Sequence, residues 1–188
     1  MIAPNQSPSL SAAISAGTGL GSVEAGSLPY GVAHVNVAVL GAPLDSPQVA
    51  PFLEGIPYVN DVADRSHGFI WLHQTHLYLR EEIGPGNEVI TTMSVWRDLR
   101  SLHTFVFGPE HAAYMRRRRE WFLPMDVANT TCWWIPADQR PTEQDVRERL
   151  QSLRERGPTP FAFTFGRSFT LGEAFSYDEE ENNANPST

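Results

Sequence analysis

Between residues 33 and 39, valine recurs at every second position (Val35, Val37, Val39), with His34, Asn36 and Ala38 interleaved. A period of two over this length is a strand with two unlike faces. Residues 47–63 then place Val49, Phe52 and Leu53 on one stripe at helical spacing. Pro57, inside that stretch, is expected to kink or split the helix. Residues 69–74 and 88–96 read as a second and a third strand. Gly84-Pro85-Gly86-Asn87 between them is the strongest turn signal in the chain. Residues 97–107 return to a three-to-four spacing through Leu99, Leu102, Phe105 and Val106. Gly108-Pro109 breaks that helix, and Pro109 suits the first turn of the next. Residues 130–135 form a fourth strand, stopped by Pro136. Residues 142–156 are the clearest helix: Thr142 caps it with Asp145 three positions on, Val146, Leu150 and Leu153 form its stripe, and Gly157-Pro158 ends it.

The order is strand, helix, strand, strand, helix pair, strand, helix. That is an α+β class with a ferredoxin-like split βαβ unit and a four-stranded antiparallel sheet. The helices are expected on the valine side, with Ile70 and Leu72. Residues 1–29, rich in Ser, Ala, Gly and Pro, read as a disordered arm, residues 30–172 as the folded domain, and residues 173–188 as a disordered acidic tail.

Composition narrows the chemistry. The chain has 188 residues and 41% hydrophobic residues, enough for one domain with a core. Its formal charge is -8, but residues 30–172 carry sixteen acids against fourteen bases. A body so near neutral is not expected to bind nucleic acid. Every base is arginine, so lysine Schiff-base chemistry is excluded. The single cysteine, Cys132, allows neither an intrachain disulfide nor a cysteine-rich zinc site. It lies in a strand of bulky residues and is expected to be buried and inert. No apolar run approaches the ~20 residues of a membrane span. The start lacks both the basic residues and the apolar block of a secretory leader, so the cytoplasm is the expected compartment.

Two constellations carry candidate chemistry. In residues 111–122, helical spacing puts His111, Met115, Arg118 and Phe122 on one stripe and sends Arg116, Arg117 and Arg119 elsewhere. His111 then serves as a proton donor or acceptor and Arg118 binds an anion or carbonyl. Alternatively, Arg118 is buried against a carboxylate and His111 bonds a backbone carbonyl. The second constellation is the mixed face of the strands. It takes His34 and Asn36 from the first strand, Phe69, Trp71 and His73 from the second, and Ser94 and Trp96 from the third. Such a face needs a cover: a ligand, or a second copy of the sheet. His67, His73 and His76 lack metal-ligand spacing with a carboxylate, so no metal is expected.

Several stretches together resemble a known family: Ser94-Val95-Trp96, His111 through Arg118 to Trp121-Phe122, Trp133-Trp134-Ile135-Pro136-Ala137, Pro141-Thr142, and the Gly-Pro-Thr-Pro run at residues 157–165. The pattern, spanning residues 34–169, resembles an uncharacterised domain family of the dimeric α+β-barrel superfamily. The resemblance implies a ferredoxin-like protomer that forms a homodimer sheet to sheet. It implies kinship with the small antibiotic-biosynthesis monooxygenases, which act on polycyclic aromatic substrates without metal or flavin. Other relatives bind haem or close rings. Where relatives carry Gly-His before Pro-Thr, this chain has Asp138-Gln139, so a site using that histidine is missing here.

The resulting expectation is a cofactor-independent enzyme of secondary metabolism acting on a hydrophobic small-molecule substrate. Cyclisation or rearrangement, such as an intramolecular [4+2] closure, is preferred by family analogy over oxygenation of a polycycle. The candidate catalytic residues are His73, His111 and Arg118; the candidate substrate-binding residues are His34, Asn36, Phe69, Trp71, Ser94, Trp96 and Trp134. A haem or ligand carrier and a non-catalytic dimerisation module are the other readings.

Overall fold

The computed structural model describes residues 29–75 and 88–184. The Gly84–Asn87 turn signal, His76 and nearly all of the N-terminal arm lie outside the described residues. Four strands form one antiparallel sheet: β1 (Tyr30–Val39), β2 (Phe69–Thr75), β3 (Val89–Trp96) and β4 (Thr130–Pro136), in the order β2-β3-β1-β4. Helix α1 (Ala50–Asp64) joins β1 to β2. Helices α2 (Leu99–Val106) and α3 (Pro109–Arg117), then a 3-10 turn (Arg118–Glu120), join β3 to β4. This order and connectivity is the ferredoxin-like fold. Helices α4 (Glu143–Arg156) and α5 (Leu171–Ala184) follow as additions.

Register assigns the faces. His34 pairs with Ser94, Asn36 with Thr92 and Val32 with Trp96; on the other side of β1, His34 pairs with Cys132 and Val32 with Trp134. Helices α1, α2 and α3 pack on this face, where Trp96 joins one buried cluster with Ala63, Leu102 and Phe163. The valine face carries Val35, Val37, Val39, Met93, Val95 and Trp133, and it packs against Val146 and Leu150 of α4. The expectation that the helices cover the valine side, leaving the polar side for a ligand or a second sheet, is thus corrected. The helices of the repeat lie on the polar face, and the appended α4 covers the valines. Burying a side chain of this size is worth about 1.5–3 kcal/mol, so the valine face is a core in its own right.

A second correction concerns β2. Phe69 pairs with Trp96 but Trp71 pairs with Val95, a one-residue bulge between them. The extra residue reverses the alternation. Phe69 therefore packs beside Trp96 on the helix-covered face, while Trp71 and His73 stack on each other on the valine face.

Pro57 lies within α1, which runs unbroken from Ala50 to Asp64. The capping box of α4 forms as read: Thr142 accepts from the Asp145 N–H, and Asp145 accepts from the Thr142 N–H at 2.8 Å. Residues 171–184 are helical, where a disordered tail from Glu173 was expected. A second cap explains the start: Glu173 accepts from the Thr170 N–H, and the Thr170 hydroxyl accepts from the Glu173 N–H. Phe175 then packs edge-on against Tyr30.

Candidate functional site

The polar face of the sheet and helices α1–α3 enclose a cavity of about 290 Å³. Its floor is His34, Asn36 and Ala38 from β1, Ile90, Thr92 and Ser94 from β3, Leu72 from β2 and Thr130 from β4. Its roof comes from α1, α2 and α3, through Phe52, Val59, Phe105, His111, Tyr114 and Met115 among others. Two further segments close it. Residues 121–123 return to the end of β1, where Gly41 N–H bonds Trp121 O and Leu123 N–H bonds Val39 O, which seats Trp121 and Phe122 against the cavity. Residues 159–167 form a strap on β4: the Cys132 and Phe163 backbones exchange two hydrogen bonds. The strap carries Phe165 to within 5.7 Å of the His34 ring. Gly55 lets the Tyr114 ring lie against α1, since a Cβ there would stand 2.2 Å from the ring.

The walls are mainly apolar, and the polar atoms are few. The His34 imidazole has no hydrogen-bond partner among the described residues and faces the cavity. Protein surrounds it, so the surface it retains opens on the cavity rather than on bulk water. That burial, with the charge His111 would carry as a secondary cause, lowers its pKa to about 4. Burial also lowers His111, against the opposing effect of its bond to Val106. Its Nδ1 lies 2.9 Å from the Val106 carbonyl oxygen. A carbonyl only accepts, so Nδ1 carries the proton and Nε2 is left as an acceptor. The Ser94 Oγ accepts from the Trp96 indole at 3.1 Å, leaving its O–H to donate. Asn36 accepts from the Thr130 hydroxyl at 2.9 Å, leaving its NH₂ without a partner among the described residues.

Of the ten residues singled out from sequence, His34, Asn36, Ser94, His111 and Arg118 line this cavity. Arg118 stands at its edge: it is exposed and donates to the Met115 carbonyl, not to a carboxylate. The helix of α3 tightens to a 3-10 turn at Arg118, which breaks the stripe extrapolated from His111. Trp96 lies on the same face beside the cavity, fully buried, and supports the floor through its bond to Ser94. Phe69 and Trp134 pack in the same layer outside the cavity, the Trp134 indole donating to Phe169 O. His73 and Trp71 are on the opposite face, so His73 is removed from the candidate catalytic set. Phe165, Thr130, Asn60 and Phe107 also line the cavity and were not singled out. Thr130 was within reach, since it lies at even spacing from Cys132 and Trp134 on one face. Phe165 was not, because the strap has no strand periodicity. Cys132 is fully buried and its thiol is pushed up to about 12, an inert core residue. Among the described residues no cluster of His, Cys, Asp or Glu could hold a metal ion, and no helix is long and apolar enough to cross a membrane.

Comparison with solved structures finds distant likeness. SnoaB from Streptomyces nogalater, described as a cofactor-independent oxygenase, matches in its N63A mutant form at 13% identity and a TM-score of 0.41, over 60% of this chain and 96% of that one. A dabb family protein with a ferredoxin-like fold from Mesorhizobium loti matches at 16% identity and a TM-score of 0.37, over 56% of this chain and 93% of that one. Among curated proteins none matches. Residues 31–179, which contain all of the sheet but Tyr30, together with the cavity and the strap, match the domain of unknown function DUF3291, and the chain belongs to that family.

Proposed function

We propose that the protein is an enzyme that binds a hydrophobic small molecule in this cavity and promotes its ring closure or rearrangement with its own side chains. The observation that carries this reading is the floor: His34 and Ser94, paired in register, and Asn36, two positions along, offer donors side by side into an apolar space. Donors fixed in a site poor in water stabilise an oxygen that gains negative charge in the transition state, without reorganisation. An apolar cavity also holds a flexible chain in a reactive, folded conformer.

Basicity favours closure over oxygenation. Cofactor-free oxygenation begins by removing a proton from carbon, which demands a base matched to that task. The cavity's histidines are both weakened by burial, His34 to about 4. They are better suited to polarise a carbonyl than to generate a carbanion. In a [4+2] closure the substrate is isomerised: two σ bonds form at the expense of two π bonds, the remaining diene π bond shifts to the ring, no atom is lost, and no proton need leave. His34 N–H, Ser94 O–H and Asn36 NH₂ donate to the activating carbonyl, and His111 Nε2 accepts from any hydroxyl of the substrate. All of these groups belong to one chain.

The test uses 1,7,9-decatrien-3-one, a small chain that closes to a bicyclic ketone by an intramolecular [4+2] step. The protein should accelerate closure and shift the ratio of ring-fusion isomers relative to buffer. His34→Leu should lower the rate by roughly a hundredfold to a thousandfold, in line with removal of one such donor. Ala38→Phe, which fills the cavity, should abolish the effect. Closure at the buffer rate with unchanged isomer ratio would remove this reading.

A further inference from the structure

Outside the cavity lies a groove of about 650 Å³ that shares Asn36, Ala38, Met115, Arg118, Phe122 and Thr130 with it. The two spaces are therefore contiguous, and Arg118 stands where they meet. Arg119 lines the groove as well. No Asp or Glu among the described residues lines either space, although the chain carries 22 acids. Arg118 makes one hydrogen bond, to the Met115 carbonyl, and Arg119 has no partner among the described residues. Their neighbour Arg117 behaves as a structural arginine: it pairs with Glu120 at 2.9 Å and stacks on Trp121. Two other surface grooves, by contrast, mix arginines with acids, Arg97 and Arg100 with Asp98 and Glu110 in one, Arg156 with Glu148, Glu155 and Asp178 in the other. The groove at the cavity mouth alone of these has cations without counter-charge.

We infer that the substrate is amphiphilic: its apolar body enters the cavity, and an oxyanion, a carboxylate or a phosphate, rests in the groove against Arg118 and Arg119. This rests on the cavity being the binding site, as proposed above, and adds the class of head group. The planar guanidinium forks match either oxyanion through paired N–H donors. Asn129 and Thr130 add neutral polar groups on the same wall. The cavity of about 290 Å³ is at the small end for a ligand site, so a larger substrate must extend into the groove, past these two arginines.

Titration calorimetry of the full chain with 2-naphthylacetate, 2-naphthyl phosphate and neutral 2-naphthylacetamide tests this. At least one anion should bind about tenfold tighter than the amide at low salt, a gap of ~1.4 kcal/mol. High salt should narrow the gap, because the arginines are exposed. Arg118→Ala should bring the ratio close to one, and Arg119→Ala should reduce it. Arg116→Ala, whose side chain lines neither space, should keep it. The better of the two anions identifies the head group. Equal affinities for anions and amide, or a preference that survives the double Arg118→Ala, Arg119→Ala change, would overturn the inference. If the trienone is still closed while the ratio is one, only the head-group assignment falls; if no naphthyl probe binds and the trienone is untouched, both readings fall.

Discussion

His34 sits on the central strand with a neutral ring at a position that a strand face usually gives to an apolar side chain. Its hydrogen-bond capacity is held open toward the cavity, and the stability cost of that arrangement has a sign and a pH window. Burial lowers its pKa from 6.5 to about 4 in the folded chain. Between those values the unfolded chain binds more protons than the folded one, so stability rises with pH. The loss begins as pH falls below about 6.5 and is complete near 4, on the order of 3 kcal/mol. His111, also lowered, adds to the same trend. Above pH 7 both rings are neutral in either state and contribute no slope. His34→Gln removes one titrating ring, so its stability should fall less than that of the natural chain between pH 7 and pH 4.5. Urea melts at both pH values measure the difference, and parallel losses in the two proteins would mean that His34 is solvated and ordinary.

At the scale of elements, the local signals were legible and the faces were not. Thr142 with Asp145, Gly157 after α4, and Gly108-Pro109 between α2 and α3 act through their own backbone neighbours, so the sequence carries them in full. Gly157 has φ 73°, a conformation that favours glycine. The alternation in β1 showed that His34, Asn36 and Ala38 share a side, which the pairing with Ser94 and Thr92 confirms. Which side the helices take depends on the hand of the crossover connections and on α4, an element that follows the repeat. Neither is written in the strand pattern. The bulge at Phe69/Trp71 is equally silent, because an extra residue in a strand changes no composition. It moved Trp71 and His73 out of the site. The strap was missed for a third reason: residues 159–167 are held by the Cys132–Phe163 exchange and by tight turns such as Thr159 with Ala162, with no repeat of their own. Its importance can be measured. Phe163 is fully buried between sheet and strap, so Phe163→Ala should cost about 3–5 kcal/mol. Thr142→Ala, which removes a cap at the surface, should cost about 1 kcal/mol. A smaller loss for Phe163→Ala than for Thr142→Ala in denaturant melts would show that the strap is not anchored as described.

At the scale of the whole molecule, one chain covers both faces of its sheet. A homodimer was expected because a mixed aromatic face would otherwise meet water. That face instead lies under α1, α2 and α3, and the valine face includes Val146 and Leu150 of α4 in its core. The cavity, its floor of donors and the two arginines at its mouth all come from a single protomer. Function should then depend on the concentration of chain only linearly. If a second copy supplied part of the wall, dilution would empty the site by mass action, since the complete cavity would exist only in the assembled state. The expected result is that the rate of trienone closure per chain, and the affinity for the naphthyl amide, stay constant from micromolar to nanomolar protein. Light scattering at the upper concentration fixes the mass independently, so a dimer formed through another surface would not disturb the conclusion. A rate per chain that falls on dilution, in step with the loss of a dimer, would place part of the active surface on a partner and overturn the single-chain site.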